Sequence, residues 1–313
     1  MKQILVFGHK NPDTDSICSA ISFAELKNAQ GVNVIPCRLG NVSKETQFAL
    51  NHFGAEAPLF IENVNADENG KKEVILVDHN EKAQTADGIE SAKILEVVDH
   101  HKFALTTDEP LKITADTVGC TCTLIYRLFK QAGITPSKKA AGLMMSAIIS
   151  DTLLFKSPTC TPEDVEAVKE LSKICGEENY EDYGMKLLIE GTSLSDKTPE
   201  EIITIDMKEF DMNGKKVAVA QVNTVDVAGL LNTQAELEAA MNSMSEKSNY
   251  DLFVLVITDI IKAGSYVLTV GKCPELVEKA FNVKLENKTA WLEGVVSRKK
   301  QVVPFMLIAS QNQ

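Results

Sequence analysis

The chain has 313 residues, 44% of them apolar and 24% charged, so it can bury a sizeable core; two domains are expected and wholesale disorder is excluded. Its 32 basic and 44 acidic side chains leave a formal charge of −12, which argues against broad attachment to nucleic acid or acidic lipid and confines anion binding to local clusters. No apolar run reaches about 18 residues and the amino terminus turns polar after one short strand, so neither a membrane span nor a signal peptide is expected, and the location is read as cytoplasmic.

In chain order, β-branched runs at 4–7, 32–36, 74–77 and 94–98 alternate with helix-like stretches at 16–29 and 44–53. Such alternation predicts an α/β fold with a mainly parallel sheet flanked by helices. Helices then dominate, at 120–132, 137–150 and 162–175, where apolar residues recur at three- and four-residue spacing. Residues 191–199, GTSLSDKTP, gather turn formers and are the expected hinge between a first domain of 1–190 and a second of 200–313. The second domain is read as a smaller mixed-sheet α/β unit. It opens with Ile203, Ile205 and Met207 alternating against polar neighbours, a turn at Asn213 and Gly214, and a strand at 216–222, which together predict a hairpin. Further strands are expected at 251–257, 266–270 and 302–308, with helices at 227–244 and 274–281. The seven cysteines are odd in number and lack a C-x-x-C unit, so they are read as reduced, mostly buried thiols.

Three strand ends carry unusual polar motifs. G-H-K-N-P-D-T-D follows the first strand and places His9, Asp13 and Asp15 before a helix expected to be amphipathic. V-I-L-V-D-H-N ends a strand in Asp78, and I-L-E-V-V-D-H-H ends another in Asp99, His100 and His101. Ligands of open α/β sheets bind at such carboxyl ends. Four of the five histidines fall in these motifs, a concentration that scattered structural histidines do not readily produce; His52 is the exception and reads as a surface or capping residue. A fourth carboxylate, Asp151, follows an apolar helix in S-A-I-I-S-D-T.

Taken singly, each acidic residue is also explained as a helix cap. Taken together, His9, Asp13, Asp15, Asp78, His100 and Asp151 are too many ligands for one ion and suit two divalent ions. Oxygen ligation with some nitrogen and no thiolate favours manganese or magnesium, with cobalt or zinc able to substitute. Four aspartates formally cancel four metal charges, so an anionic substrate needs further cations. Lys208 and the late S-R-K-K, Ser297 to Lys300, supply candidates, although a solvated basic turn explains the latter equally simply.

These motifs, with Q-V-N-T at 221–224, resemble the manganese-dependent family II inorganic pyrophosphatases of the DHH phosphoesterase superfamily, over nearly the full length. The resemblance implies hydrolysis of pyrophosphate to two phosphates by a two-metal mechanism, with a metal-bridging water as nucleophile and the active site between the domains. It implies one ion held by His9, Asp13 and Asp78 and a second by Asp15, Asp78, His100 and Asp151, with Asp78 as the bridge. His101 becomes a substrate contact and proton donor, and Lys208, Arg298 and Lys299 the grip on phosphate; Asp99 is expected to orient a neighbouring residue rather than bind metal directly. Two Mn2+ ions, replaceable by Co2+ or Mg2+, a further Mg2+ arriving with substrate, and a homodimer formed through the first domain are implied as well. Only 20 residues separate Asp78 from Asp99, leaving no room for the regulatory nucleotide-binding insertion of some members. Two other readings fit the sequence less well. A phosphodiesterase for short nucleotides needs a stacking surface that 6% aromatic content hardly offers, and a non-catalytic ion sensor has no visible transmitting module.

Overall fold

The computed structural model describes residues 3–68, 70–107 and 109–311, which form two compact units dividing after Gly191. The first holds β1 (Ile4–Phe7), α1 (Thr14–Ala29), β2 (Val34–Arg38), α2 (Lys44–His52), β3 (Leu59–Phe60), β4 (Glu73–Val77), β5 (Lys93–Asp99) and β6 (Lys112–Ala115). Four helices follow: α3 (Thr121–Ala132), α4 (Lys138–Asp151), α5 (Pro162–Cys175) and α6 (Tyr180–Thr192). All strand pairs are parallel, in the order β3-β2-β1-β4-β5-β6. The chain leaves β1 toward one side and returns to its other side at β4. The carboxyl ends of β1 and β4 therefore flank the point where strand order reverses, the place such sheets reserve for ligands.

Strand side chains alternate between faces, as the pleat demands. Val6, Ile75, Val77 and Val98 enter the large core built with α1, α3, α4 and α5. Phe7, Val74, Leu76 and Val97 enter a smaller core on the other face, to which no α-helix contributes; loops and two short 3-10 turns, Lys82–Gln84 and Ile89–Ser91, cover it. The α1 helix is buried around most of its circumference, contrary to the amphipathic expectation, and carries Thr14, Asp15, Ser16, Ser19 and Ser22 into the interior. Nothing but a local ligand or hydrogen-bond network makes that polarity tolerable.

The second unit holds α7 (Pro199–Thr204), β7 (Lys208–Met212), β8 (Lys215–Thr224), α8 (Val227–Leu231), α9 (Gln234–Ser248), β9 (Leu252–Asp259), β10 (Gly264–Gly271), α10 (Glu275–Phe281), β11 (Thr289–Glu293) and α11 (Val303–Gln311). Its sheet runs β11-β10-β9-β8-β7 and is mixed, only β8 and β9 being parallel. Helices α7, α8 and α9 cover one face, α10 and α11 the other.

Two expected strands are absent: 203–207 is the end of α7 followed by a turn, and 302–308 is helical. The alternation at Ile203, Ile205 and Met207 is overridden by a capping box: Thr198 accepts from the Glu201 N–H while Glu201 reaches back to the Thr198 N–H, with Pro199 at the first position. The hairpin instead joins β7 to β8 around Asn213 and Gly214. The apolar run 302–308 forms α11, in whose first turn Pro304 is tolerated; a central strand rejects proline. The single helix expected at 227–244 breaks into α8 and α9 at Asn232 and Thr233. Strands β3, β6 and β11 and helix α6 carried too short or irregular a pattern to be anticipated. All seven cysteines are free thiols. No helix among the described residues is long and apolar enough to cross a membrane.

Gly8 is where β1 and α1 approach most closely, since a Cβ there would lie 1.9 Å from Ser16 Oγ and 2.8 Å from the Ser16 Cα. The Gly8→Ala variant is expected to lose about 1–3 kcal/mol of stability through overpacking. Denaturant titration checks this, and an unchanged midpoint would mean that α1 lifts off β1 at little cost.

Candidate metal centre

Each motif reaches the switch point by its own local device. After β1, the His9 N–H lies 2.8 Å from Ser16 Oγ, fixing the loop onto α1. Asp13 caps α1, accepting from the Ser16 N–H at 2.9 Å through one carboxylate oxygen, while the other lies 3.4 Å from His9 Nε2. It is thus both a cap and a member of the cluster. Asp15, fully buried, accepts from the Thr121 N–H at 2.7 Å, the Cys122 N–H at 3.1 Å and the Ser19 hydroxyl at 2.8 Å. Those amides are the unpaired donors at the start of α3, whose own cap position, Cys120, offers no side-chain bond.

Asp78 follows β4 with a φ of +59°, a left-handed conformation rare for a residue with a side chain. It is 2% exposed, and its carboxylate is the meeting point of the site. One oxygen lies 3.4 Å from His9 Nε2; the other lies 3.6 Å from His100 Nε2, 3.7 Å from His101 Nδ1 and 3.1 Å from the Thr121 hydroxyl that donates to it. Asp78 Oδ2 is buried and has no hydrogen bond among the described residues. Such an orphaned carboxylate oxygen is what a cation would satisfy.

Three groups have ligand atoms all within 4.8 Å of one another: His9, Asp13 and Asp78; Asp15, His100 and Asp151; and Asp78, His100 and His101. All six proposed ligands are therefore brought together, with Asp151 as the last residue of α4. Asp15 also meets Cys120 and Cys122, but burial pushes both thiols up, Cys122 to about 12, so they stay protonated and leave the donor set to oxygen and nitrogen. That set suits Mn2+ or Mg2+.

The histidine tautomers are legible. His9 Nδ1 faces the Lys10 carbonyl at 2.7 Å and His100 Nδ1 the Val118 carbonyl at 3.0 Å, and a carbonyl only accepts. Both histidines thus carry a proton on Nδ1 and turn Nε2 toward the carboxylates. His101 differs, with Nδ1 on Asp99 Oδ1 at 2.9 Å and a half-exposed ring. Asp99 in turn accepts from Asn80 Nδ2 at 2.6 Å, and Asn80 also accepts the Ala104 N–H at 2.6 Å. Asn80 went unassigned in the sequence although V-D-H-N contains it. Only the fold brings it to Asp99.

Like charges dominate the electrostatics. Burial and the neighbouring Asp15 push the Asp78 carboxyl well above its ordinary range, and burial with Asp15, Asp13 and Asp78 does the same to Asp151. For His9, burial favours the neutral ring but is outweighed by the nearby carboxylates of Asp13 and Asp78, each 3.4 Å from Nε2, which raise it to about 11. The Asp99 bond raises His101 against the opposing effect of burial.

The second unit carries the basic candidates. Lys208 begins β7, exposed, and pairs in register with Val219. Arg298 is 7% exposed, and its guanidinium donates to the Asp206 carbonyl, to Asp206 Oδ1 at 3.1 Å and to the Val219 carbonyl at 3.4 Å, which puts it beside Lys208 at one end of the sheet. The Arg298 N–H donates to Gln221 Oε1 at 2.9 Å, so Q-V-N-T and S-R-K-K touch. Lys299 is exposed on a π-helical turn, Arg298–Val302, ahead of α11 rather than beside a strand. His52 lies outside the cluster, bonded to Glu177 at 2.8 Å and edge-on to Phe53.

A doubly wound sheet whose switch point gathers histidines and aspartates from a D-H-H triplet, followed by a mixed-sheet second unit, defines a DHH-type α/β protein. The model of the DHH family, N-terminal domain, matches residues 3–148, and that of the DHHA2 domain matches 185–309. A Bacillus cereus protein is 53% identical over 312 residues, 99% of this chain and all of the relative, and a Bacillus anthracis protein is 52% identical over the same span. Both bear the assignment of manganese-dependent inorganic pyrophosphatase. A Methanococcus jannaschii crystal structure, assigned as a family II inorganic pyrophosphatase, is 44% identical with a TM-score of 0.62, covering 98% of this chain and 99% of its own. An exopolyphosphatase-related protein of Bacteroides fragilis, 17% identical, shares the fold with a TM-score of 0.51, covering 99% and 92%. The chain belongs to the manganese-dependent, family II inorganic pyrophosphatases.

Two measurements probe the crowding. Neighbouring carboxylates favour a proton on His9, and burial with like charge favours protons on Asp78 and Asp151, so protons compete with a cation for these groups and Mn2+ affinity is expected to rise with pH. Calorimetry in buffers of different ionisation heat reads the proton count; pH-independent binding with none released would contradict it. The Asp151→Asn variant is expected to raise the melting temperature of chelator-treated protein while weakening Mn2+ binding at least about 100-fold.

Proposed function

We propose that this protein hydrolyses inorganic pyrophosphate to two phosphates with two manganese ions, one held by His9, Asp13 and Asp78 and the other by Asp15, Asp78, His100 and Asp151. The observation that carries this reading is the convergence of all six side chains on Asp78 and Asp15 in a chain with full-length pyrophosphatase relatives. When bound, the ions supply an activated water as nucleophile and positive charge for the phosphoryl oxygens, with Co2+ or Mg2+ able to replace them and a further Mg2+ arriving with substrate.

The remaining work falls to the chain's own groups. Asp99, fixed by Asn80, holds the His101 Nδ1–H, leaving Nε2 to contact the substrate and give a proton to the departing phosphate. Lys208, Arg298 and Lys299 bind phosphoryl oxygens; Asp206 sets the plane of the Arg298 fork and Gln221 fixes its backbone. Residues 191–199 serve as the hinge between a catalytic first domain and a substrate-binding second one. Seven free thiols are in keeping with a reducing, cytoplasmic setting, and the family resemblance extends to a homodimer formed through the first domain.

Phosphate release from magnesium pyrophosphate by metal-stripped protein is expected to be low and to recover strongly on adding Mn2+. Arg298→Ala and Lys299→Ala are each expected to raise KM by about tenfold with metal binding intact. Unchanged kinetics in both variants would remove these residues from the substrate site, and release of mononucleotide from a dinucleotide in place of phosphate would favour the phosphodiesterase reading.

A further inference from the structure

The face of the first sheet that lacks helices is incompletely filled. Between β4, β5 and the loops laid over them lies a cavity of about 280 Å³. Leu76, Ile89, Ile94 and Leu105 give it apolar walls. Its charged lining is three lysines, Lys71, Lys82 and Lys93, against Glu90 and Glu109, a local positive excess in a chain of net charge −12. Lys93 and Glu109 stand 3.6 Å apart. Thr85, also in the lining, is 3% exposed, and its hydroxyl has no hydrogen-bond partner among the described residues. A buried hydroxyl without a partner is costly, and a bound acceptor toward which the Thr85 side chain turns would offset that cost.

The same cavity abuts the relay behind His101. Asn80 lines it, and so does the segment 104–107. Ala104 donates its N–H to Asn80 Oδ1, Asn80 donates to Asp99, and Asp99 holds His101. Asn80 also donates to the Lys102 carbonyl at 3.0 Å, tying the loop at a second point. Whatever orders 104–107 therefore bears on the orientation of His101.

We propose that this cavity is a regulatory site for a small amphiphilic anion, a phosphate or carboxylate head on a compact apolar body, acting through Asn80 and Asp99. The lysines meet the head, Thr85 donates to it, and the aliphatic walls take the body. Binding and turnover are coupled because the loop that closes the cavity also anchors Asn80. The coupling rests on the assignment of His101 under the proposed function, whereas the binding does not.

Full-length protein with labelled isoleucine methyls is titrated with phenyl phosphate and, separately, benzoate, with inorganic phosphate and toluene as head-only and body-only controls. Saturable shifts of the Ile89 and Ile94 methyls are expected from phenyl phosphate or benzoate at concentrations up to about 10 mM, and which of the two binds better identifies the head. Lys82→Glu, a surface change outside the catalytic residues, is expected to weaken the shifts at least about fivefold and to leave basal pyrophosphate turnover unchanged. Ligand at the concentration that half-saturates the unsubstituted protein is expected to alter its kcat and to alter that of Lys82→Glu much less. No methyl shift, or shifts equal to those from toluene and indifferent to Lys82→Glu, would overturn the site. Shifts without any change in kcat would overturn the regulation. A protein that binds the anion but does not hydrolyse pyrophosphate refutes the proposed function alone.

Discussion

Everything in the first unit is arranged around one unfavourable fact: carboxylates from the end of β4, the start of α1 and the end of α4 stand in pairs within 4.8 Å of one another. At that spacing two like charges repel by roughly 3–4 kcal/mol even at an effective dielectric of about 20. Proteins rarely tolerate such a cluster unless a cation or a proton neutralises it. Here the cluster pushes His9, Asp78 and Asp151 toward their protonated forms, and one buried oxygen of Asp78 has no hydrogen bond among the described residues.

The surrounding fold relieves part of the same repulsion with fixed dipoles. Asp15 takes the first two amides of α3, and although burial opposes its charge, His100, Cys120, the Ser19 hydroxyl and the Thr121 N–H together hold that carboxyl below its ordinary range. Asp78 has no comparable partner. Its left-handed backbone, at a residue where such a conformation costs energy, aims the carboxylate between His9 and His100 and away from amides that could quiet it. One carboxylate is therefore held ready by the protein, while the other remains to be completed by a cation. Asp78 is shared between two groups of potential ligands, His9 with Asp13 on one side and His100 with His101 on the other.

Much of this was legible because strand ends are punctuated in the sequence. An apolar run that stops at Asp78 or at Asp99-His100-His101 marks both the strand and the direction of its last side chains, and the recurrence of the pattern places them at one edge. The parallel order of the sheet followed from the helices between. What failed was local pattern without context. Ile203, Ile205 and Met207 alternate as a strand would, yet Thr198, Pro199 and Glu201 start a helix before that alternation can act. In α11 a continuous apolar run fits helix or strand, and Pro304 was the signal that should have decided. Asn80 and Thr121 escaped notice because nothing in their own neighbourhoods marks them; each acts across 19 and 43 positions of chain, on Asp99 and Asp78.

The two units solve opposite electrostatic problems, and the comparison bears on what kind of anion the protein can take. The first concentrates negative charge and requires cations to be complete. In the second, Arg298 is buried against Asp206 and tied down by Gln221, so its charge is already half answered within the unit, whereas Lys208 and Lys299 remain in water. A long polyanion gains affinity from many phosphate contacts and the counterions they release. Three cations, one of them shared with an aspartate, in a chain of net charge −12 offer little of that.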